Sequence, residues 1–522
     1  MWRRSGIVGC HEKGIRSHQS GKAHMGQETF LGLDIGTSSV KALLVNADQH
    51  VVADAGAALK MSRPQLLWSE QNPEDWIGGV EAAVQTLRRR APDAFSRLAG
   101  VGLSGQMHGA TFLGAGGCPL RPAILWNDGR SFAECEELVK RVPNFLAKAG
   151  NLAMPGFTAP KAMWVAKHEP EVFAATKRIL LPKDYVRLRL TGEAISEMSD
   201  AAGTLWLDIA ERRWSDELVA ACDLTLAHMP ALVEGSDVSA YLSPAVASAW
   251  GLGGRRIPVA GGGGDNAASA VGVGAIAAGD GFISLGTSGV IFSVTNKYVS
   301  LPRRTLHAFC HALPGRWHGM SVMLSAAASL TWVANLLGHG DNISTCVDAA
   351  EAVARDPAAL KAAPIFLPYL SGERTPHNDP EATGLFAGLT AGHGAEAVLY
   401  AVMEGVAFSF ADGMDVLREA DAMPTTPLLV GGGARSGFWG QMIADVTGLE
   451  IDLAAGAEAG AALGAARLGI LAAKAGDERA ICTRPDTQSR FVPDAARAAL
   501  HAPRLERYRA LYKAERGARR QG

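Results

Sequence analysis

Short apolar runs alternate with longer alanine-rich stretches along the chain from Phe30 onward. The short runs, several of which end in glycine, are typical of strands that lead into tight turns, and the longer stretches are typical of helices. Strands that alternate with helices in this way predict an α/β protein.

One strand–turn–strand pattern occurs twice. The turn Gly36-Thr37-Ser38 lies between apolar runs in the first half, and the turn Gly286-Thr287-Ser288 lies between similar runs in the second. We infer a second repeat from the runs at 257–260 and 427–430, each of which leads through glycines into a predicted helix. Two repeats in the same order predict a duplicated two-lobe architecture with a boundary near residues 274–280. The alternative is that glycine-rich turns recur by chance.

Composition excludes several classes of protein. The 522 residues are enough for two to four domains. The 50 lysines and arginines are balanced by 52 aspartates and glutamates without a long run of one sign, so we expect no nucleic-acid partner. The sequence has no uninterrupted apolar stretch of about 20 residues, so we expect no membrane span. Seven scattered cysteines without a Cys-x-x-Cys pair indicate neither a disulfide framework nor a zinc site and favour a reducing, cytoplasmic compartment.

The N-terminal segment is a separate case. Its apolar piece at residues 6–10 is too short for a signal-peptide core. We therefore predict a disordered extension over residues 1–28, with Met25 as a candidate initiator.

The two Gly-Thr-Ser turns are the first candidate for chemistry. Such turns present backbone N–H groups and small hydroxyls, which together can grip the phosphates of a nucleotide. Asp34 precedes the first turn, whereas Ser284 takes its place before the second. Phosphoryl transfer needs a carboxylate that reaches Mg²⁺ near the phosphates, so Asp34 is the candidate, with a turn-capping role as the alternative.

Asp265 is the second candidate. It follows Gly263 and Gly264 at the predicted start of a helix. A carboxylate there can cap the helix, and in a transferase it can also accept the proton of an attacking hydroxyl. The run at 272–277 fits a Gly-x-Gly-x-x-Ala pattern but lies at the end of a helical stretch, and the sequence lacks a Walker A motif. Neither a dinucleotide site nor a P-loop is therefore favoured.

From about Thr29 to Gly469 the chain carries a series of motifs that resembles the FGGY family of carbohydrate kinases. In the first half the motifs are Asp34-Ile35-Gly36-Thr37-Ser38, Trp68-Ser69-Glu70-Gln71, Gly105-Gln106-Met107-His108-Gly109, Trp126-Asn127-Asp128-Gly129-Arg130, Pro155-Gly156-Phe157-Thr158-Ala159-Pro160-Lys161, Leu181-Pro182-Lys183-Asp184-Tyr185 and Gly263-Gly264-Asp265-Asn266. In the second half they are Ser284-Leu285-Gly286-Thr287-Ser288-Gly289, Pro368-Tyr369-Leu370-Ser371-Gly372-Glu373-Arg374-Thr375-Pro376 and Gly431-Gly432-Gly433-Ala434-Arg435-Ser436. The resemblance implies an actin-like sugar-kinase fold in which two ribonuclease-H-like lobes, residues 29–275 and 276–522, enclose an ATP cleft.

The resemblance also implies roles for individual residues. Asp265 is the implied catalytic base, and Asp34 is the implied ligand of Mg²⁺. The implied contacts to ATP are Asp34, Thr37, Ser38, Gly286, Thr287, Gly432, Gly433 and Ser436. The implied contacts to the sugar are Met107, His108, Trp126, Asp265 and Asn266.

The sugar preference depends on Met107 and His108, because glycerol-type relatives place an Arg-Glu pair at these positions. An apolar wall beside a two-sided hydrogen-bonding group suits a neutral sugar with alternating C–H and O–H faces. A buried structural Met–His pair is the alternative. Asp128 and Arg130 either help Trp126 to close the pocket or pin their own loop through an ion pair.

The reaction that the resemblance implies is the ATP-dependent phosphorylation of D-xylulose to D-xylulose 5-phosphate. Two alternatives stay open. One is a kinase of the same family for another ketose or polyol, since a fold alone does not set the sugar. The other is a non-catalytic ATP switch of the actin type. We expect no partner beyond the small-molecule substrates and leave a homodimer open.

Overall fold

The computed structural model describes residues 28–340, 342–454, 460–474 and 476–520. The predicted N-terminal extension, apart from Glu28, and the candidate initiator Met25 lie outside the described residues.

The first half of the chain contains fifteen strands and eleven helices among its described residues. The strands are β1 Thr29–Ile35, β2 Ser39–Asn46, β3 Val51–Ala58, β4 Glu70–Gln71, β5 Leu98–Gly105, β6 Thr111–Leu113, β7 Ala123–Ile124, β8 Arg178–Leu180, β9 Ile195–Glu197, β10 Leu207–Asp208, β11 Arg213–Trp214, β12 Ala231–Val233, β13 Val238–Tyr241, β14 Pro258–Ala260 and β15 Gly263–Gly264. The helices are α1 Pro73–Arg90, α2 Pro92–Phe95, α3 Phe132–Arg141, α4 Phe145–Ala149, α5 Thr158–His168, α6 Pro170–Ala175, α7 Pro182–Thr191, α8 Met198–Ala201, α9 Asp216–Ala220, α10 Pro244–Ala249 and α11 Asp265–Gly272.

The second half has nine strands and eight helices in its described part. The strands are β16 Gly281–Leu285, β17 Gly289–Thr295, β18 His307–Cys310, β19 Trp317–Met323, β20 Ile365–Leu367, β21 Leu385–Ala387, β22 Leu428–Val430, β23 Ile451–Ala454 and β24 Thr487–Phe491. The helices are α12 Ala327–Leu336, α13 Ile343–Ala354, α14 Pro357–Ala362, α15 Ala395–Glu419, α16 Gly437–Thr447, α17 Gly460–Lys474, α18 Glu478–Ile481 and α19 Ala495–Arg519.

The first large sheet has the strand order β13-β14-β5-β1-β2-β3, with β15 added beside β5. β1 pairs antiparallel with β2 and parallel with β5. Leu33 and Ile35 pack with the core beneath α1, whereas Phe30 and Gly32 on the opposite face meet α17. Because both faces are covered, β1 reads as a nearly continuous apolar run.

The second large sheet has the order β18-β19-β17-β16-β22-β23-β24. β16 and β17 form an antiparallel hairpin, as β1 and β2 do, and β16 pairs parallel with β22 as β1 does with β5. The predicted α/β class and two-lobe duplication are confirmed.

The second inferred repeat is wrong in its pairing of strands. β14, which leads into Asp265, is separated from β1 by β5, whereas β22 lies directly beside β16. The counterpart of β22 is therefore β5, and the counterpart of β14 is β23. Both β14 and β22 run into glycines because both end at the cleft, so the glycine pattern did not distinguish their positions.

Helix α17 comes from the second half of the chain but packs on the first sheet, against β1, β5 and α11. The approach is close: a Cβ added to Gly102 on β5 would lie 1.7 Å from the Ala465 carbonyl oxygen. Each large sheet is thus formed by strands of one half of the chain. Helix α17, by contrast, belongs to the second half and packs on the sheet of the first half.

Helix α15 is long and apolar enough, by length and composition, to cross a membrane. Of its most apolar 18-residue window, 94% is buried inside the protein. It packs against α12, α13 and α16 and is the central core helix of the second lobe. This burial accounts for its apolar composition.

Candidate active site in the cleft

The two Gly-Thr-Ser turns join the paired strands of the two hairpins, as the sequence predicts. In the first turn the Gly36 N–H donates to the Ser39 carbonyl at 3.0 Å, and in the second the Gly286 N–H donates to the Ser288 carbonyl at 3.2 Å. The first turn contains one residue more than the second, since Ile35 pairs with Val40 whereas Leu285 pairs with Gly289, but both carry small hydroxyl side chains.

A cavity of about 1200 Å³ opens beside the second turn. It brings together five of the predicted nucleotide residues, which are Gly286, Thr287, Gly432, Gly433 and Ser436. Its remaining wall is largely apolar and is formed by α12, α13 and α16, including Leu330, Trp332, Ile343 and Val347. Such a combination of small phosphate-side residues and an apolar wall suits a nucleotide. Sequence reasoning missed the α12 and α13 wall, because nothing in these helices distinguishes them from core helices.

Glycine is required at the turn after β22. Gly431 has a φ of +95°, and a Cβ on Gly433 would lie 2.4 Å from the Leu285 side chain. The turn therefore runs directly over the end of β16. Ser436 follows as the cap of α16, where its hydroxyl accepts from the Trp439 N–H at 3.1 Å.

Asp34 is the penultimate residue of β1 and is half-buried. Its Oδ1 accepts from the Ser104 hydroxyl on β5 at 3.2 Å rather than from the N–H groups of its own turn. Burial raises the pKa of Asp34, and the nearby charge of Lys41 only partly offsets this. Asp34 therefore does not cap its own turn.

Asp265 is the first residue of α11. Helix α11 has Gly264 as its N-cap and no side-chain cap hydrogen bond, so the capping alternative for Asp265 is wrong. Its Oδ1 instead accepts from the backbone N–H and the side-chain amide of Asn266, at 2.7 and 2.9 Å. Burial, followed by the charge of Asp34, raises the pKa of Asp265 to about 7. The carboxyl group can therefore take up and release a proton near neutral pH.

Asp34 and Asn266 line one cavity, of about 940 Å³, together with Ser284 and Gly432 from the second lobe. Residues of both halves thus face the same space. Among the described residues no group of three or more His, Cys, Asp or Glu side chains is arranged to hold a metal ion on its own.

Met107 and His108 follow β5 and lie beside the turn that carries Asp265. A Cβ on Gly264 would lie 2.9 Å from Cγ of Met107, so the methionine packs directly under this turn. The His108 backbone has a φ of +68°, and its carbonyl accepts from Thr158 and Lys161. The predicted sugar residues Met107, His108, Asp265 and Asn266 are therefore neighbours.

The protonation of His108 follows from its contacts. Its Nδ1 lies 2.7 Å from the Gly203 carbonyl oxygen. Burial, with smaller contributions from the charges of Lys161 and Arg374, lowers the pKa of His108 to about 3. The imidazole is therefore neutral, and because a carbonyl oxygen only accepts, Nδ1 carries the proton and Nε2 is left as an acceptor.

Trp126 links the first hairpin to the sugar side of the cleft. It is 43% exposed, and its indole N–H donates to the Thr37 hydroxyl at 3.0 Å. Thr37 in turn donates to the Gln106 side chain at 3.1 Å, next to Met107. Trp126 is therefore connected through Thr37 and Gln106 to the segment that carries Met107.

Asp128 and Arg130 do not face the pocket. They form an ion pair at 2.7 Å with side chains 0% and 1% exposed, and Arg130 also pairs with Glu70 at 2.7 Å. The Arg130 guanidinium lies 3.6 Å from the centre of the Trp68 ring. The interpretation that this ion pair pins its own loop is confirmed.

Sequence reasoning missed the second-lobe side of the sugar region. The ring of Phe309 on β18 lies 6.2 Å from that of His108, and Phe157 lies 4.5 Å from it. Arg374 approaches from the second lobe, where its charge contributes to the lowered pKa of His108. Phe157 and Arg374 lie in motifs that the sequence shows, but only the fold places them beside His108.

Comparisons with known proteins show which family the chain is similar to. Models of the FGGY family of carbohydrate kinases match the chain with their N-terminal domain at residues 29–272 and their C-terminal domain at residues 281–473. The chain is 50% identical to a xylulose kinase of Escherichia coli (strain K12) over 93% of this chain and 98% of that protein. It is 49% identical to a xylulose kinase of Klebsiella pneumoniae over 92% and 98% of the two chains. The crystal structure of a xyloylose kinase from Brucella ovis is 47% identical, with a TM-score of 0.90 over 94% of this chain and 100% of that chain.

Proposed function

Because the chain belongs to the FGGY family of carbohydrate kinases, we propose that it transfers the γ-phosphoryl group of ATP to the terminal hydroxyl of D-xylulose. The products are D-xylulose 5-phosphate and ADP. The xylulose kinases to which the chain is half identical over nearly its whole length support this choice of sugar.

The position of Asp265 is the observation that carries the proposal. Its carboxyl group accepts hydrogen bonds from Asn266, its pKa is raised in part by the charge of Asp34, and it directly follows the glycine that packs on Met107. A base with a pKa of about 7 is matched to work near neutral pH, where it is ionised often enough to act and holds a proton well enough to take one. We assign it the role of general base.

The sugar is bound between Met107, His108 and Asn266. Met107 supplies an apolar surface for the C–H face, and His108 Nε2 accepts a hydrogen bond from a sugar hydroxyl. The terminal hydroxyl then lies within reach of Asp265. We assign Trp126 to the rim, where it excludes water from this end of the cleft.

ATP is bound across the lobes in the proposed complex. The cavity of about 1200 Å³ takes the adenosine against Gly432, Gly433 and Ser436, and the turns around Thr37, Ser38, Gly286 and Thr287 donate their N–H groups to the phosphates. Fixed N–H donors aimed at the phosphates stabilise charge that develops during transfer.

Mg²⁺ fits the donor set of the cleft. Asp34 and Asp265 offer carboxylate oxygens, and Mg²⁺ in kinases is usually held by one or two carboxylates together with phosphates and water. We assign Asp34 as its protein ligand; when bound, the ion neutralises phosphate charge.

The chemical step needs no covalent enzyme intermediate. Asp265 accepts the proton of the terminal hydroxyl, the hydroxyl oxygen forms a bond to the γ-phosphorus, and the bond from that phosphorus to the ADP oxygen breaks. Asp265 then releases the proton to solvent. We place the reaction in the cytoplasm, where the six free cysteine thiols of the described residues stay reduced.

A coupled ADP-release assay across a panel of pentuloses, hexuloses and polyols tests the proposal. We expect D-xylulose to give the highest kcat/KM. A different preferred sugar would reassign the substrate within the family, and ADP release that no sugar stimulates would contradict the kinase activity itself.

A further inference from the structure

A buried ionic cluster lies beneath the active site and has no part in the mechanism above. Lys183, from the Leu181–Tyr185 motif at the start of α7, lies 2.7 Å from Asp184, 3.0 Å from Asp200 and 3.3 Å from Glu197. All four side chains are 0% exposed. Buried charges at this density are costly unless they are tightly paired, so the arrangement calls for a reason.

Glu197 directs one hydroxyl group. Its carboxylate accepts from the Ser199 N–H at 2.7 Å and from the Ser199 hydroxyl at 2.8 and 3.0 Å. Because a carboxylate accepts and does not donate, the proton of this hydroxyl points toward Glu197. The lone pairs of Ser199 are therefore turned the other way.

Those lone pairs face the catalytic turn. The Gly264 N–H donates to the Ser199 hydroxyl at 3.1 Å, and Gly264 is the residue directly before Asp265. Both groups are buried, so no water competes for this hydrogen bond. The position of the base is thus fixed by a hydroxyl whose own orientation is set by Glu197 and Lys183.

The same segment also holds the sugar-binding imidazole. Three residues after Asp200, the Gly203 carbonyl accepts from Nδ1 of His108 at 2.7 Å. A Cβ on Gly203 would lie 2.6 Å from that nitrogen. Helix α8 and the following 3₁₀ turn, Ala202–Thr204, connect Ser199 to Gly203, so one short rigid span contacts both sides of the pocket.

The start of the catalytic turn is held from the same helix as Lys183. The Arg187 guanidinium on α7 donates to the carbonyl groups of Ala260 and Gly261 at 2.6 and 2.5 Å. The turn that leads from β14 to Asp265 is therefore fastened by Arg187 at one end and by Ser199 at the other.

We propose that Ser199, oriented by Glu197 and Lys183, is a positioning residue that sets the Asp265 carboxylate against the acceptor hydroxyl. The Gly203 carbonyl at the other end of the segment sets the tautomer of His108. This inference rests on the proposed role of Asp265 as the base. A base displaced by a fraction of an ångström slows the proton transfer, whereas the sugar still binds through its other contacts, so the loss falls on kcat.

The variants Ser199→Ala and Ser196→Ala form a matched pair. Ser196 is buried in the same cluster and donates to Asp184 at 2.6 Å, but it does not contact the catalytic turn. We measure kcat, KM and melting temperature for each in the full-length protein, using the sugar with the highest rate in the panel. For Ser199→Ala we expect kcat to fall about tenfold or more with KM within threefold. For Ser196→Ala we expect kcat within twofold and a similar loss of melting temperature.

Equal losses of kcat in the two variants would overturn the inference, because any disruption of the buried cluster would then slow the reaction. Unchanged kcat in Ser199→Ala would overturn it as well. Gly203→Ala provides a second measurement, since its methyl group displaces His108: we expect its main effect on KM for the sugar. Both serine variants are compared with the wild type. If the wild type is inactive on D-xylulose, that result contradicts the proposed substrate and not the inference about Ser199.

Discussion

Burial and the charge of Asp34 make ionisation of Asp265 costly in the ligand-free cleft. The pKa of Asp265 is raised to about 7 by burial and by the charge of Asp34, and that of Asp34 is raised by burial. The carboxyl group that we assign as the base is therefore costly for the stability of the empty protein. We expect binding of the proposed Mg²⁺ and of the substrates to offset this cost.

The pH dependence of stability reports this cost. An unfolded Asp has a pKa near 3.9, so between about pH 4 and 7 the unfolded chain releases the proton of Asp265 while the folded protein keeps it. The folded state then binds more protons, so its stability falls as the pH rises through this window. The variant Asp265→Asn has no ionisable group at this position, so its stability does not fall with pH for this reason. In EDTA and without ATP, we expect its melting temperature to exceed that of the wild type by a margin that grows from pH 5 to pH 8; a constant margin would contradict the raised pKa.

The same substitution removes the proposed base. Asp265→Asn keeps the size of the side chain but accepts no proton, and general bases typically contribute about 100- to 10,000-fold to rate. We expect kcat to fall within this range in the coupled assay while ATP binding, measured by calorimetry, stays within about threefold. Asp486→Asn, an exposed aspartate far along the chain, is the control and should leave kcat unchanged. A kcat within fivefold of the wild type in Asp265→Asn would remove the assignment.

His108 is expected to act on sugar binding rather than on ATP. His108→Ala removes the Nε2 acceptor and one wall of the pocket, and the loss of one hydrogen bond of this type corresponds to about a tenfold change in binding. We expect KM for D-xylulose to rise about tenfold or more and KM for ATP to stay within twofold, both from initial rates. His50→Ala, at an exposed histidine, is the control. An equal rise in both KM values would place His108 elsewhere in the mechanism.

Residues that end strands or start helices were predictable, because turn chemistry is local. Asp34 stands two residues before Gly36 and Asp265 directly after Gly264, and the sequence singles out both. Phe309 and Arg374 were not predictable as neighbours of His108, because tertiary packing from the other lobe brings them there. The ion pair of Asp128 and Arg130 was predicted only as one of two alternatives. A spacing of two residues is compatible both with an ion pair inside the loop and with two side chains that face the pocket.

At the scale of elements, the contact of α17 with the first sheet depends on glycine. On β5 the Gly102 Cα lies so close to α17 that a methyl group there would overlap the Ala465 carbonyl oxygen, which is backbone and cannot rotate away. Glycines on the helix side make equally close approaches, as Gly464 does to Ala268 on α11. This contact joins the second half of the chain to the first lobe.

Gly102→Ala and Gly78→Ala test this packing as a pair. Gly102→Ala forces the helix from the sheet, and we expect it to lower the free energy of unfolding by about 3 kcal/mol in urea denaturation. Gly78 is exposed in α1 with open space around it, so Gly78→Ala should raise the free energy of unfolding by about 0.5 kcal/mol through helix propensity. Equal effects of the two substitutions would show that α17 relaxes freely from the sheet.

The position of α17 shows which helices correspond in the two halves of the chain, and therefore where the predicted second repeat was wrong. The helix after β14, α11, packs on α17, and each of these helices follows a strand two positions from the hairpin strand of its sheet. The structural repeat thus pairs α11 with α17. In sequence, however, the glycines after β22 resemble those after β14 more closely, because glycine is used wherever a turn borders the cleft. Sheet order is a long-range property, and a local glycine pattern does not determine it.

At the scale of the whole molecule, the two lobes meet at β18, close to the sugar pocket. Asn151 in the first lobe is fully buried and donates to the Ala308 carbonyl at 2.8 Å, and its side-chain oxygen accepts from the Ala308 N–H at 3.2 Å. These bonds satisfy the edge of β18 with a side chain of the other lobe. The sugar region, with His108 from one lobe and Phe309 from the other, lies beside this contact.

We therefore expect a sugar bound in this region to contact both lobes and to favour a closed arrangement of them. We expect closure to bring ATP, bound to the second lobe as proposed, against Asp34 and Asp265 on the first. Water is a competing acceptor for the phosphoryl group, and dependence of closure on the sugar limits hydrolysis when the sugar is absent. In this proposal the sugar is both the acceptor and the trigger for alignment.

A sugar that binds but has no acceptor separates these two effects. In 5-deoxy-D-xylulose the terminal hydroxyl is missing, whereas the groups that contact Met107, His108 and Asn266 remain. Closure then leaves space for a water molecule beside Asp265. Asp265 can accept a proton from this water as it would from the sugar hydroxyl, and the water can then take the phosphoryl group. We expect this analogue to stimulate ADP release several-fold over the sugar-free rate, at a rate at least about 100-fold below that with D-xylulose, and we expect Asp265→Asn to abolish the stimulation. A sugar-free rate that the analogue leaves unchanged, despite competitive inhibition against D-xylulose, would show that binding does not drive closure.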